Sequence, residues 1–197
     1  SHAEESPVDA PGRFQLAQLW IALPKHECER EPAFEHYPVL PILERGGFRV
    51  TVLAGAFAGM RSPARVFTPL VGLDLASTVG ARTELPLDPA FEYAAVTLEG
   101  EPAVDGEALA AGTLLYLGPG RAALAVDCAA ASRLLLIGGE PFGEDLLLWW
   151  NFVARTREEM ETATRDWNQG RRFGKVQGAR AAPLVAPDIE SLRPRGT

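Results

Sequence analysis

The chain has 197 residues, of which 47% are hydrophobic and 23% are charged, so it can form one large or two small soluble domains. Its formal net charge is −7, which argues against direct binding to nucleic acid, because such binding needs a basic face that displaces counterions. No apolar run is long enough to cross a bilayer, so we expect no membrane partner.

The chain begins with a candidate pair of metal ligands. His2 and Glu4 are two residues apart, and on an extended strand such side chains point to the same face. Imidazole and carboxylate are both donors that divalent metals accept. A Ser-His start is also what a cleaved purification tag leaves, so a tag scar or an idle surface histidine is the alternative.

Residues 13–23 predict a strand, because apolar side chains alternate along the first half and both faces of the second half are apolar. Pro24 ends it, since proline cannot donate to the ladder. Residues 25–46 are polar and charged and predict a linker that includes a short strand at 39–43. A binding loop with His26 or His36 as a ligand is the alternative, although neither has another ligand at metal-site spacing.

Residues 48–139 alternate short strands with turn signals, which predicts an all-β sandwich or barrel. The predicted strands are 48–53, 66–75, 82–87, 92–98, 114–117, 122–126 and 133–137. Gly100 and Gly106 bracket a tight hairpin through 103–104. This region contains no histidine, so we expect a barrel without metal that has a structural or partner-binding role.

The C-terminal part changes character. An apolar run at 146–153 predicts a strand, and Thr156 begins a Thr-Arg-Glu-Glu capping box that predicts a helix over 157–169. One stripe of this helix is expected to pack into a core, with a cofactor contact as the alternative; it consists of Met160, Ala163, Thr164 and Trp167. Beyond Gly178, the Ala/Pro/Arg-rich tail is expected to be poorly ordered.

Several motifs, in order and spacing, resemble the pirin family over nearly all of residues 2–178. They are His2-Ala3-Glu4 with the Phe-Gln-Leu-Ala-Gln-Leu-Trp-Ile-Ala-Leu-Pro run at 14–24, Leu-Glu-Gly-Glu at 98–101 with Asp105-Gly106, Leu-Leu-Leu-Ile-Gly-Gly-Glu-Pro at 134–141, and Trp-Asn-Phe-Val at 150–153. The resemblance implies an all-β fold of cupin-type jelly-roll (double-stranded β-helix) barrels in a bicupin architecture, with a short C-terminal helix.

The resemblance also implies a division of the chain. Residues 1–24 would be the end of an N-terminal cupin domain whose remainder is absent, and 25–46 the linker. Residues 47–153 would form the C-terminal cupin barrel. The helix and turn would occupy 154–178, and 179–197 would be a flexible tail.

In the family, a mononuclear centre, usually iron, takes its first ligands from the N-terminal barrel. The resemblance implies that His2 and Glu4 are the last two ligands, with Fe(II) expected and Mn, Ni, Co or Zn as alternatives. It implies a quercetin 2,3-dioxygenase type of enzyme acting on flavonols, in which Glu4 also takes the substrate proton. Glu5 would face the opposite side of the strand.

Two other functions stay open. One is a metal-dependent regulatory protein that docks to a transcription factor or a metabolic enzyme, which the acidic net charge fits better than docking to DNA. The other is a fragment without activity of its own, exposing the apolar strand at 14–23 and therefore self-associating. Cys28 and Cys128 offer no disulfide framework, and with no visible signal peptide we expect a cytoplasmic protein.

Overall fold

The structure, a computed structural model, describes residues 16–189. They form two compact units. One consists of residues 34–142, and the other combines the chain up to residue 33 with the chain from residue 143. The five-part division expected from the sequence stays a prediction.

The unit 34–142 is built from antiparallel strands, as the turn signals predicted. Among the residues that the structure describes, nine strands join one sheet in the order β1-β2-β4-β9-β5-β8, with β3 on β2 and a β6–β7 hairpin on β9. The strands are β1 Ile42–Arg45, β2 Phe48–Phe57, β3 Met60–Arg61, β4 Leu70–Pro86, β5 Glu92–Glu99, β6 Ala103–Val104, β7 Glu107–Ala108, β8 Leu114–Gly118 and β9 Ala123–Gly139.

Strands β4 and β9 are each 17 residues long, which corrects the prediction of two separate strands in each stretch. They pair in one constant register from Leu70 opposite Gly139 to Pro86 opposite Ala123, with no pair at Thr78 or Gly80. The middle of the pair is made of small residues, including Ser77, Gly80 and the run at 129–132. Serine and glycine are typical of turns, but here both lie inside the long strand β4, whose pairing with β9 continues on either side of Gly80.

The core of this unit follows the period-2 pattern of its strands. Phe48, Val50 and Val52 of β2 are fully buried, while Arg49 between them is exposed. Burying each of these side chains contributes roughly 1.5–3 kcal/mol. The other fully buried core residues face them from β4, β5, β6 and β9, and are Leu73, Leu75, Leu85, Ala95, Val104, Leu124, Val126, Leu134 and Leu136.

The second unit contains a hairpin and a helix. Strands β10 (Leu147–Trp149) and β11 (Phe152–Ala154) replace the single strand predicted at 146–153, because the chain turns at Trp150, which has φ +50°. Helix α1 spans Arg157–Asn168, and the predicted capping box is confirmed. Within residues 16–189, no helix is both long and apolar enough to cross a membrane.

Two residues of the chain beyond Gly178 pack on helix α1. Ala186 and Ile189 are buried against the Met160 side of α1, so the predicted stripe is core packing. The Asn168 side chain donates to the carbonyl of Ala186 at 3.0 Å and accepts from its amide at 2.8 Å. The flexible tail expected over 179–197 stays a prediction, and residues 190–197 lie outside the described residues.

The predicted strand at 13–23 is also not observed. Residues 16–24 have no regular structure and lead into a short 3₁₀ turn at Lys25–Glu27, and 13–15 lie outside the described residues. A strand needs a neighbouring strand for its backbone bonds, and none of residues 16–189 forms a ladder with this segment. Its apolar side chains are exposed, for example Leu16 at 62% and Ile21 at 52%.

Candidate functional site

The two predicted metal ligands, His2 and Glu4, lie outside the described residues, so their role stays a prediction. Of the alternative ligands, His26 has a side chain that is 77% exposed and lies 3.9 Å from the carboxylate of Glu27. Between residues 16 and 189, no three His, Cys, Asp or Glu side chains come together where they could hold a metal. The described part of the chain therefore does not fit a metal centre by itself.

The chemistry of the donors decides what the chain can contribute to such a centre. One imidazole and one carboxylate suit first-row divalent ions. Catalytic metal sites usually take at least three protein donors. Residues 16–189 supply no such set of three on their own, so whether His2 and Glu4 belong to a metal centre stays a prediction.

A charged cluster fixes the segment that follows the predicted ligands. The guanidinium of Arg155 donates to the carboxylate of Glu144 and, at 2.8 Å, to the carbonyl of Leu23. It also lies 3.1 Å from the sulfur of Cys28. The bond to Glu144 is the main reason that the pKa of Arg155 is raised. Arg155 thus ties residues 23–28 to the start of the helical segment, a role for which an isolated arginine gives no sequence signal.

The unit 34–142 contains a cavity of about 640 Å³ that is open to solvent. Both ends of β4 line it, and the hairpin between β2 and β3, the loop 87–91 and the inner faces of β5 and β9 complete its walls. A straight strand of this length would span roughly 55 Å, so β4 bends back on itself around the cavity. Its volume falls within the roughly 300–1,000 Å³ of small-molecule sites.

Tyr93 makes one wall of this cavity rigid. Its hydroxyl accepts from the amide of Asp88 at 2.9 Å and donates to the carbonyl of the same residue at 3.3 Å. The Asp88 carboxylate in turn accepts from the amide of Ala90 at 2.9 Å. Burial raises the pKa of Tyr93, which therefore stays a neutral phenol. A β-carbon on Gly138 would lie 2.3 Å from the ring, so glycine is required for this packing.

Residues 72–174 match the family profile described as the pirin C-terminal cupin domain, which is more than half of the chain. The chain belongs to the pirin family. This confirms the resemblance seen in the motifs, and the all-β cupin-type fold with a short C-terminal helix is confirmed with it.

Among curated pirin relatives, a Pseudomonas aeruginosa protein named "Putative quercetin 2,3-dioxygenase" is 43% identical over 190 residues, covering 96% of this chain and 60% of that protein. A "Pirin-like protein" of Caulobacter vibrioides is 32% identical, covering 81% and 56%. A crystal structure of quercetin 2,3-dioxygenase from Acinetobacter baumannii superposes with a TM-score of 0.82 at 42% identity, covering 88% of this chain and 58% of that one. The chain thus spans about 60% of the length of these relatives.

Proposed function

We propose that this chain is part of a mononuclear metal-dependent dioxygenase that acts on flavonols such as quercetin. The observation that carries the proposal is the 42–43% identity, along nearly the whole chain, to proteins that bear the name quercetin 2,3-dioxygenase. The metal in this proposal is iron, with manganese, nickel, cobalt and zinc as the ions that metal analysis must distinguish from it.

In the proposed enzyme, His2 and Glu4 would hold the metal together with donors outside residues 16–189. A bound divalent metal supplies Lewis acidity, which stabilises a deprotonated substrate oxygen. The Glu4 carboxylate takes the proton of the flavonol hydroxyl at one of its oxygens, as a general base. Glu5 serves as a natural comparison, because on an extended strand its side chain would point to the face opposite that of Glu4.

The test measures metal content and quercetin-dependent oxygen consumption of the protein expressed with its complete reading frame. Glu4→Gln removes the base and is expected to lower turnover by about 10²–10⁴-fold. His2→Ala is expected to lower the metal content together with turnover. Glu5→Gln and His26→Ala are the matched controls and should change neither.

The proposal fails if the metal-replete protein consumes no oxygen with quercetin, or if Glu4→Gln and Glu5→Gln have the same turnover. The first result favours the second candidate function, a metal-dependent regulatory protein that docks to a transcription factor or a metabolic enzyme. The net charge of −7 favours a protein partner over nucleic acid in that case.

A further inference from the structure

The cavity of the unit 34–142 uses none of the residues in the proposed metal centre, and its walls resemble those of a ligand site. Its floor is apolar and buried: Leu73 and Leu136 are fully buried, and Phe57 is 7% exposed. Phe91 and Tyr93 form a tilted aromatic pair at its side, with ring centroids 6.1 Å apart. Such walls favour a planar ring, because aromatic rings prefer tilted or offset contacts with one another.

Two opposite charges line the same cavity without neutralising each other. Arg61 and Asp88 are both exposed, and no ion pair joins them. Within residues 16–189, the Arg61 guanidinium takes part in no ion pair or hydrogen bond. Asp88 uses one carboxylate oxygen for the amide of Ala90. The cavity therefore presents a guanidinium that can bind an anion and a carboxylate that can accept a hydrogen bond, both beside an apolar floor.

We propose that this cavity binds a small aromatic carboxylic acid that carries a hydroxyl group. The guanidinium of Arg61 pairs with the ligand carboxylate, a geometry that suits its planar fork. The carboxylate of Asp88 accepts a hydrogen bond from the ligand hydroxyl. Its negative charge disfavours binding of a ligand that carries a second anionic group at this position. The ring lies against Phe91 and Tyr93, over the floor formed by Leu136.

The site is formed before the ligand arrives. The two hydrogen bonds between the Tyr93 hydroxyl and the Asp88 backbone hold the loop 87–91 in place. The ring of Tyr93 packs directly on the backbone of β9 at Gly138. Because these groups are fixed in the free protein, binding requires little ordering of the walls.

The experiment titrates the full chain with 4-hydroxyphenylacetate at millimolar concentration and follows aromatic resonances by NMR. We expect shifts at Phe91 and Tyr93 and none at Trp167, which lies in the other unit. Two analogues divide the contributions: 4-hydroxyphenylacetamide lacks the negative charge, and phenylacetate lacks the hydroxyl. Each is expected to bind about three- to fivefold more weakly than the parent acid.

Variants of the two charged residues of the cavity then show which side chain recognises the ligand carboxylate and which recognises its hydroxyl. Arg61→Gln should make the acid and the amide bind equally, and Asp88→Asn should reduce the preference for the hydroxyl. Arg49→Gln, on an exposed arginine of β2 that does not line the cavity, is the matched control and should bind like the wild type. The proposal is overturned if Phe91 and Tyr93 do not shift, if Arg61→Gln retains the preference for the acid, or if Arg49→Gln weakens binding as much as Arg61→Gln.

Discussion

Replacing Gly138 with alanine tests whether the contact between β9 and Tyr93 stabilises the barrel. The new β-carbon would lie 2.3 Å from Cδ1 and 2.6 Å from Cε1 of Tyr93, and 2.8 Å from the carbonyl oxygen of Glu92. Carbon atoms in contact are about 3.5 Å apart, so the ring must move by roughly 1 Å. It has little room to do so, because Tyr93 is only 3% exposed and its hydroxyl is hydrogen-bonded to Asp88.

We expect Gly138→Ala to lower the free energy of unfolding by about 3 kcal/mol, at the upper end for overpacking of a core. For a unit of this size, that corresponds to a fall in Tm of roughly 10 °C. Urea denaturation followed by circular dichroism measures the first quantity, and thermal melting measures the second.

Gly72→Ala is the matched control. Gly72 also lies in a paired, buried strand position, but an added β-carbon would meet its nearest neighbours, Ala54 and Leu53, at an ordinary 3.7 Å. We expect it to be neutral or stabilising by about 0.5 kcal/mol, because alanine restricts the unfolded chain. In a Tyr93→Ala background, Gly138→Ala should lose the part of its effect that comes from the ring, while the 2.8 Å approach to the Glu92 carbonyl oxygen remains. Equal stabilities of Gly138→Ala and Gly72→Ala would refute the reasoning.

Three further perturbations follow from the described contacts. Thr156→Ala removes the hydroxyl that caps α1 by accepting from the amide of Glu159 at 3.1 Å. It should lower the free energy of unfolding, measured by urea denaturation, by about 1 kcal/mol. Thr162→Ala, on the exposed face of the helix, should lower it far less. Asp74→Asn weakens the two 2.8 Å hydrogen bonds that join Asp74 of β4 to Arg133 of β9. It should lower the free energy of unfolding by about 1 kcal/mol, a modest amount because Arg133 is partly exposed. An unchanged urea midpoint would show that the pair contributes nothing to stability. Burial raises the pKa of Tyr93 above its ordinary value of about 10, so the stability contributed by the neutral phenol is fully present below about pH 10 and is lost as pH rises through the raised pKa. Tyr93→Phe has no phenol to ionise and should lose less stability at alkaline pH. An identical alkaline loss in both proteins would show that Tyr93 is not its source.

The helix could be predicted from the sequence because its signals are local. Thr156 and Glu159 form the capping box within one turn, and Met160 lies on the side that packs. The helix ends within one residue of the prediction. The family motifs gave the cupin-type barrel in the same way, since they lie in the strands and turns that build it.

The long strands and the end of the chain could not be predicted, because their structure depends on distant partners. Ser77 is a turn-forming residue by propensity, yet its pairing with Ser132 of β9 keeps it in the ladder. Ala186 lies in a segment whose composition indicates disorder, but its backbone bonds to Asn168 hold it in place. Tertiary contacts outweighed local preference at both places.

The two candidate sites, the His2 and Glu4 pair and the cavity, also differ in whether their residues are close together in the sequence. His2 and Glu4 stand out in the sequence because a polar pair with period 2 is a local pattern, although the structure does not describe them. The cavity left no such signal. Arg61, Asp88 and Leu136 come from three separate segments, and each by itself fits an ordinary surface or core position.

The pairing of β4 with β9 also affects how this protein reaches its native state. Even the nearest partners, Pro86 and Ala123, are separated by β5, the small hairpin and β8, so the ladder closes a long loop before it gains any stability. Proteins dominated by such non-local pairing have high contact order and typically refold over milliseconds to seconds. We therefore expect the barrel to refold more slowly than α1 regains helicity, which leaves an interval in which its unpaired strands are open to misfolding.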